Sequence, residues 1–276
     1  MTSRTIGPVH LELTTARIGA QPRPSVLCLH GLFASGWVFT DFLARAAARG
    51  YDGAALSCRG HAPSAPVENL GRVTVADYIA DASAAAATLD QPIVVGHSLG
   101  GLVALMLAKA GLVRAAVLVA PAPPRWISVL SPHILARMGR YLPALLFSRV
   151  LMPRKEDLDA LTLNAVPEPM RSELRARLIP DSGRAARDAA LGVHAVPAGS
   201  IDVPMLLVSG DQDRFIPLGV TTRVAKRFGV PLHVARGHAH FLFGEPGWEP
   251  HADAILDWMD TTCSASSVVR TNAART

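Results

Sequence analysis

Lysine is almost absent from this chain. Of its 27 basic residues only Lys109, Lys155 and Lys226 are lysines, so the net charge of +5 rests on arginine. The arginines are dispersed, with neither a Lys/Arg run nor interleaved aromatics. That pattern argues against nucleic-acid binding and reads as solvated surface, with one or two arginines free to meet an anionic substrate group. Cysteine is scarce as well. Cys28, Cys58 and Cys263 are widely spaced and lack metal-ligand spacing, which excludes a disulfide scaffold and makes a reducing, cytoplasmic compartment the expectation. Met1 to Leu13 has neither the charged start nor the apolar core of a signal peptide. Long apolar runs are missing too. The most apolar region, Ile93 to Pro124, is interrupted by His97, Lys109 and Arg114, so it reads as strand, helix and strand, not as a membrane span.

What is present is core material. The chain has 276 residues, half of them hydrophobic, enough for one α/β domain carrying an insertion. Val9 to Ile18 alternates weakly, as an edge hairpin would. Apolar strand runs are expected at Ser25 to Leu29, Asp52 to Leu56, Gln91 to Val95, Ala115 to Ala120, Val203 to Val208 and Pro231 to Ala235. Helices are expected at Thr40 to Arg49, Val75 to Leu89, Leu102 to Ala108 and Gly247 to Asp260. This alternation predicts a mainly parallel twisted sheet with helices on both faces. It stops between about Pro124 and Ser200. There Ile134, Met138, Leu142, Leu145 and Leu146 recur at helical spacing, with further helical pieces at Glu168 to Leu178 and Gly183 to Leu191. The expected division is a core from 1–121 and 201–262, a helical insertion over 122–200, and a flexible tail over 263–276.

The most informative stretch is Gly96-His97-Ser98-Leu99-Gly100-Gly101, between an apolar strand and an apolar helix. G-x-S-x-G in that setting is a nucleophile elbow, a strained turn that lifts the serine oxygen clear of the sheet. Glycines at 96 and 100 remove side chains that would collide. The following helix start leaves N–H groups, notably that of Leu99, facing developing negative charge. A serine needs a base and the base an orienting partner. In such sheets functional groups gather at the carboxyl ends of strands. Asp211 and Asp213 follow one late strand, and His238 and His240 follow the next, giving the order Ser, Asp, His.

With these stretches in view, the chain resembles an α/β-hydrolase of the esterase, lipase and peroxidase-like group over about Leu11 to Asp260. His30-Gly31-Leu32-Phe33-Ala34-Ser35 with Trp37 resembles the family's HG loop. Arg59-Gly60-His61-Ala62-Pro63-Ser64 resembles its RGHGxS turn, with alanine at Ala62 where glycine is usual. Gly210, Asp213 and Pro217 match its acid loop. The resemblance implies Ser98 as nucleophile, Asp213 as acid with Asp211 the alternative, and His240 as base with His238 the alternative. It implies an oxyanion hole from the N–H groups of Leu32 and Leu99, Phe33 being the alternative to Leu32, and a helical cap over the site. Phe33, Trp126, Met138 and Leu142 are the candidate pocket residues. A carboxylic ester, thioester or lactone of apolar character is the implied substrate, with neither cofactor nor metal. The same framework supports perhydrolysis, carbon–carbon bond hydrolysis and acyl transfer, and a ligand-binding protein could retain the pocket. Dehalogenase and epoxide hydrolase chemistry is disfavoured, because those relatives carry aspartate at the Ser98 position.

Overall fold

Alternation along the strands sorts the core into two layers. Leu27, Leu29, Val94, Ala116 and Leu118 face one side of the sheet, whereas Val26, Cys28, Ile93, Val95, Val117 and Val119 face the other, as the two-residue period of a strand requires. Both sets are fully buried because helices cover both faces. In the computed structural model, which describes residues 2–16 and 23–273 with side chains as far as Thr262, the chain runs β1 (Thr2–Ile6), β2 (Val9–Thr14), β3 (Val26–Leu29), α1 (Thr40–Ala48), β4 (Gly53–Ser57), α2 (Val75–Ala86), β5 (Ile93–His97), α3 (Leu99–Lys109) and β6 (Ala115–Val119). After the insertion come β9 (Met205–Gly210), α9 (Leu218–Phe228), β10 (Leu232–Ala235) and α10 (Glu249–Ala273).

The eight-stranded sheet has the order β1-β2-β4-β3-β5-β6-β9-β10. The β1–β2 hairpin is antiparallel and joins β4 antiparallel; every other pairing is parallel. Helices α2, α3 and α9 cover one face and α1 and α10 the other. The expected α/β architecture is therefore present, with corrections at the ends. The hairpin begins at Thr2, earlier than the expected Val9, because an edge strand exposed on both sides carries no apolar alternation. Residues 17–18 of the expected hairpin lie outside the described residues. The final helix continues to Ala273; of the tail expected over 263–276, residues 274–276 lie outside the described residues.

Between β6 and β9 the chain forms α4 (Pro132–Met138), α5 (Leu142–Leu146), β7 (Val150–Leu151), α6 (Lys155–Leu161), α7 (Met170–Arg177), β8 (Asp181–Ser182) and α8 (Gly183–Ala190). Strands β7 and β8 pair as a two-residue antiparallel ribbon, too short to leave a pattern in the sequence. The ends of β3, β5, β9 and β10 bring their following loops to one edge of the sheet, beneath this insertion.

Candidate active site

Ser98 sits where β5 turns into α3, with φ 54° and ψ −117°. That is a left-handed conformation a serine rarely adopts, and such strain collects at functional turns. Two neighbouring glycines make the turn possible. A Cβ on Gly96 would lie 2.2 Å from the Gly100 carbonyl oxygen, and one on Gly100 would lie 2.1 Å from the Leu29 carbonyl oxygen. The elbow is thus pressed against the end of β3, and only a bare backbone fits.

From this turn the side chains form a line. The Ser98 hydroxyl faces His240 Nε2 at 3.0 Å, and His240 Nδ1 faces Asp213 Oδ2 at 2.8 Å. All three side chains are buried. A carboxylate accepts, so Nδ1 carries the hydrogen and Nε2 is left to accept from the serine. Asp213 is itself fixed: its Oδ1 accepts the Phe215 and Ile216 N–H groups, each at 2.8 Å. Beneath the line, His97 Nε2 donates to the His240 carbonyl at 2.8 Å. Burial, reinforced by the adjacent His240, lowers the His97 pKa to about 3 and keeps it neutral.

The alternatives read from the sequence are occupied elsewhere. Asp211 Oδ1 accepts the Gly237 N–H at 2.7 Å, tying two loops together. His238 Nδ1 donates to the Arg236 carbonyl at 3.0 Å, its ring packs on His251, and its Nε2 has no partner among the described residues. Among the described residues no three His, Cys, Asp or Glu side chains are grouped to hold a metal ion. The Phe33 N–H donates to Asp181 Oδ2 at 2.9 Å, so it is engaged. The N–H groups of Leu32 and Leu99 have no acceptor among the described residues, and Leu99 opens α3 where helix geometry leaves donors free.

Two cavities meet at Ser98. The larger, about 390 Å³, runs under α4, α5 and α8 and is apolar except for Ser98 and Arg187; Leu32, Leu99, Ile134, Met138, Leu142 and Leu146 are among its walls. The smaller, about 60 Å³, is walled by His240, His97, Phe241, Leu158 and Leu163. Phe33, Met138 and Leu142 stand in the walls of the larger cavity. Trp126 does not. It lies in a turn with φ 75°, is 64% exposed, and its ring is flanked by Arg125 and Arg227 on the surface. Phe215, which borders both cavities and packs on the His240 ring, is a wall the sequence expectation lacks. Its place two residues after Asp213, in the loop that follows β9, was the available signal.

Cys28 and Cys58 are free and buried, and no described helix is long and apolar enough to cross a membrane. Comparison with solved structures finds the same fold at low identity. A monoacylglycerol lipase from Paleococcus ferrophilus is 20% identical, with 91% of this chain and 99% of that chain covered at a TM-score of 0.70. A soluble variant of monoglyceride lipase from Saccharomyces cerevisiae, solved with a substrate analogue, is 15% identical, with 95% of each chain covered at 0.77. An esterase from Exiguobacterium antarcticum is 16% identical, with 91% and 95% covered at 0.70. No curated protein matches by sequence. The model of the Alpha/beta hydrolase family matches residues 26–254, most of the sheet and every side chain of the Ser98 line. The chain belongs to the alpha/beta hydrolase family.

Proposed function

We propose that this hydrolase cleaves carboxylic esters through an acyl-enzyme on Ser98. The observation that carries the reading is the unbroken hydrogen-bond line from Ser98 through His240 to Asp213. Ser98 attacks the carbonyl carbon while His240 Nε2 takes its proton. The oxyanion is received by the N–H groups of Leu32 and Leu99, which are otherwise unengaged. His240 then gives the proton to the leaving alcohol, and water repeats the sequence on the acyl-enzyme. Asp213 holds the productive tautomer and balances the imidazolium charge. Lipases and esterases among the structural neighbours are consistent with this chemistry.

The two cavities suggest how the substrate lies. His240 must reach the leaving oxygen, so the small cavity that His240 borders takes the alcohol side. The large apolar cavity, bordered by Leu32 and Leu99 and not by His240, takes the acyl chain. Its volume lies in the range of ordinary small-molecule sites. The expected substrate is an uncharged apolar acyl ester of a small alcohol. The test is turnover of p-nitrophenyl esters by wild type and Ser98→Ala. The reading expects a loss of about 10⁴-fold or more in the variant; undiminished turnover would remove Ser98 from the mechanism.

A further inference from the structure

The loop that offers the Leu32 N–H is held by a buried group that comes from the insertion. Asp181, in β8, is 1% exposed and lies against four donors. Its Oδ1 accepts from Tyr78 Oη at 2.7 Å and from the Ser182 N–H at 2.6 Å; its Oδ2 accepts from the Phe33 N–H and from His61 Nε2, both at 2.9 Å. Two residues earlier, the Ile179 N–H donates to the Phe33 carbonyl at 2.9 Å. Both polar groups of Phe33 are therefore bonded to one strap of the insertion, at a residue whose φ of 68° needs outside support.

The protonation states follow from the partners. Both oxygens of Asp181 accept backbone N–H groups, so the side chain is a carboxylate. His61 Nδ1 faces the Arg59 carbonyl at 3.0 Å and must carry a hydrogen; Nε2 faces Asp181 and must carry one too. His61 is thus an imidazolium. Burial opposes this charge, but the facing carboxylate outweighs it and raises the His61 pKa; likewise burial opposes the Asp181 charge while His61 outweighs it and lowers the Asp181 pKa. Beside them His30, whose ring centroid is 5.0 Å from that of His61, donates through Nδ1 to the Gly31 carbonyl at 2.7 Å and accepts the Cys58 N–H on Nε2 at 3.1 Å. The Gly31–Leu32 peptide is held by His30, and the Leu32–Phe33 peptide by Asp181.

We infer that Asp181 is a positioning residue for the reaction on Ser98: with His61 and Tyr78 it fixes the Leu32 N–H where the oxyanion forms. This rests on the serine-hydrolase reading above. It makes the insertion a part of the catalytic geometry as well as a roof. A donor misaligned by loss of the carboxylate stabilises the transition state less, while substrate binding in the two cavities is unaffected.

The test compares wild type, Asp181→Asn and Tyr78→Phe with a p-nitrophenyl ester, and measures inhibition by an alkylboronic acid whose tetrahedral adduct occupies the oxyanion position. Asp181→Asn is expected to lower kcat ten- to a hundredfold, short of the 10²–10³ for losing a donor outright, with KM within twofold and boronate affinity weakened in proportion. If Asp181→Asn does not fold, Tyr78→Phe, which removes one donor and leaves every backbone contact, is read alone; it is expected to lower kcat three- to tenfold with the same split. A folded variant with wild-type kcat and boronate affinity, or one changed in KM alone, overturns the inference. A wild type without Ser98-dependent turnover would instead refute the serine-hydrolase reading, so the two failures are distinct.

Discussion

Asparagine at position 213 would keep the shape of the site and reverse one end of its hydrogen-bond line. The new side chain has one oxygen and one NH₂, and the structure decides which goes where. Asp213 Oδ1 receives two backbone N–H groups, from Phe215 and Ile216, while Oδ2 receives only His240 Nδ1. Turning the NH₂ toward the two amides would leave both buried donors unpaired, at about 1–3 kcal/mol each. Turning it toward His240 leaves a single mismatch, which the ring relieves by moving its hydrogen to Nε2. The second arrangement wins. It places N–H against the Ser98 hydroxyl, and the base can no longer accept the proton. The same exchange in a serine-protease triad lowers kcat by about 10⁴, equivalent to about 5 kcal/mol of barrier. Asp213→Asn should therefore remain folded and lose about 10⁴ in kcat toward a p-nitrophenyl ester, while Asp211→Asn, whose side chain meets the Gly237 N–H and the Gln212 amide and not His240, changes kcat by no more than severalfold. Asp213→Asn retaining a tenth of wild-type activity, or Asp211→Asn losing as much as Asp213→Asn, would refute the assignment of the acid.

Three further outcomes are expected. Gly100→Ala forces a Cβ to within 2.1 Å of a backbone oxygen and should destabilise the protein by about 3 kcal/mol or more, read as a fall in the denaturant midpoint; an unchanged midpoint would contradict the described elbow. Buried His30 and His97 have pKa values lowered by burial, and by His61 and His240 respectively, to about 4 and about 3. The unfolded chain takes up these protons near pH 6.5 and the folded protein does not, so stability falls as pH drops from about 6.5 to 4, by roughly 3 kcal/mol for each histidine. Chemical denaturation across that range measures it, and a flat profile would count against both neutral states. In an ester series of rising acyl length, each added methylene should raise kcat/KM about fourfold, from about 0.8 kcal/mol per buried CH₂, until the 390 Å³ cavity is filled; a decline from the shortest chain onward would move the acyl group to the small cavity.

The buried strands were legible because a sheet covered on both faces demands apolar runs, and β3, β5, β6 and β9 supply them. The elbow was legible because G-x-S-x-G is a contiguous pattern set between an apolar strand and an apolar helix, although only Gly96 is dictated within the turn and Gly100 by the end of β3. Elements whose definition is tertiary were not. Strand β1 has a polar, exposed sequence and exists by pairing with β2. Helix α9 has no counterpart in the sequence expectation, although Val220 and Val224 are four residues apart and Gly229 ends it in a left-handed turn; the threonines between them dilute the periodicity. Helix α6 is likewise absent from that expectation, its buried Leu158 and Leu161 set among charges. Sequence put His240 ahead with His238 as its alternative, since both follow β10. What separates them is Asp213, brought within 2.8 Å of one ring only by the packing of β9 beside β10. Trp126 and Asp181 show the reverse errors. A large aromatic in the insertion invited a place in the pocket and lies on the surface, whereas Asp181 attracted no notice until the fold set it against Phe33, His61 and Tyr78.

The account stands on Ser98 being an activated nucleophile, and covalent labelling tests that most directly. A fluorophosphonate should add one equivalent to the folded wild-type protein, located by mass spectrometry at Ser98 within the tryptic peptide Val73–Lys109. Labelling should be abolished in Ser98→Ala and strongly slowed in His240→Ala. Folded wild-type protein that takes up no label, or that takes it up at another residue, would contradict the account.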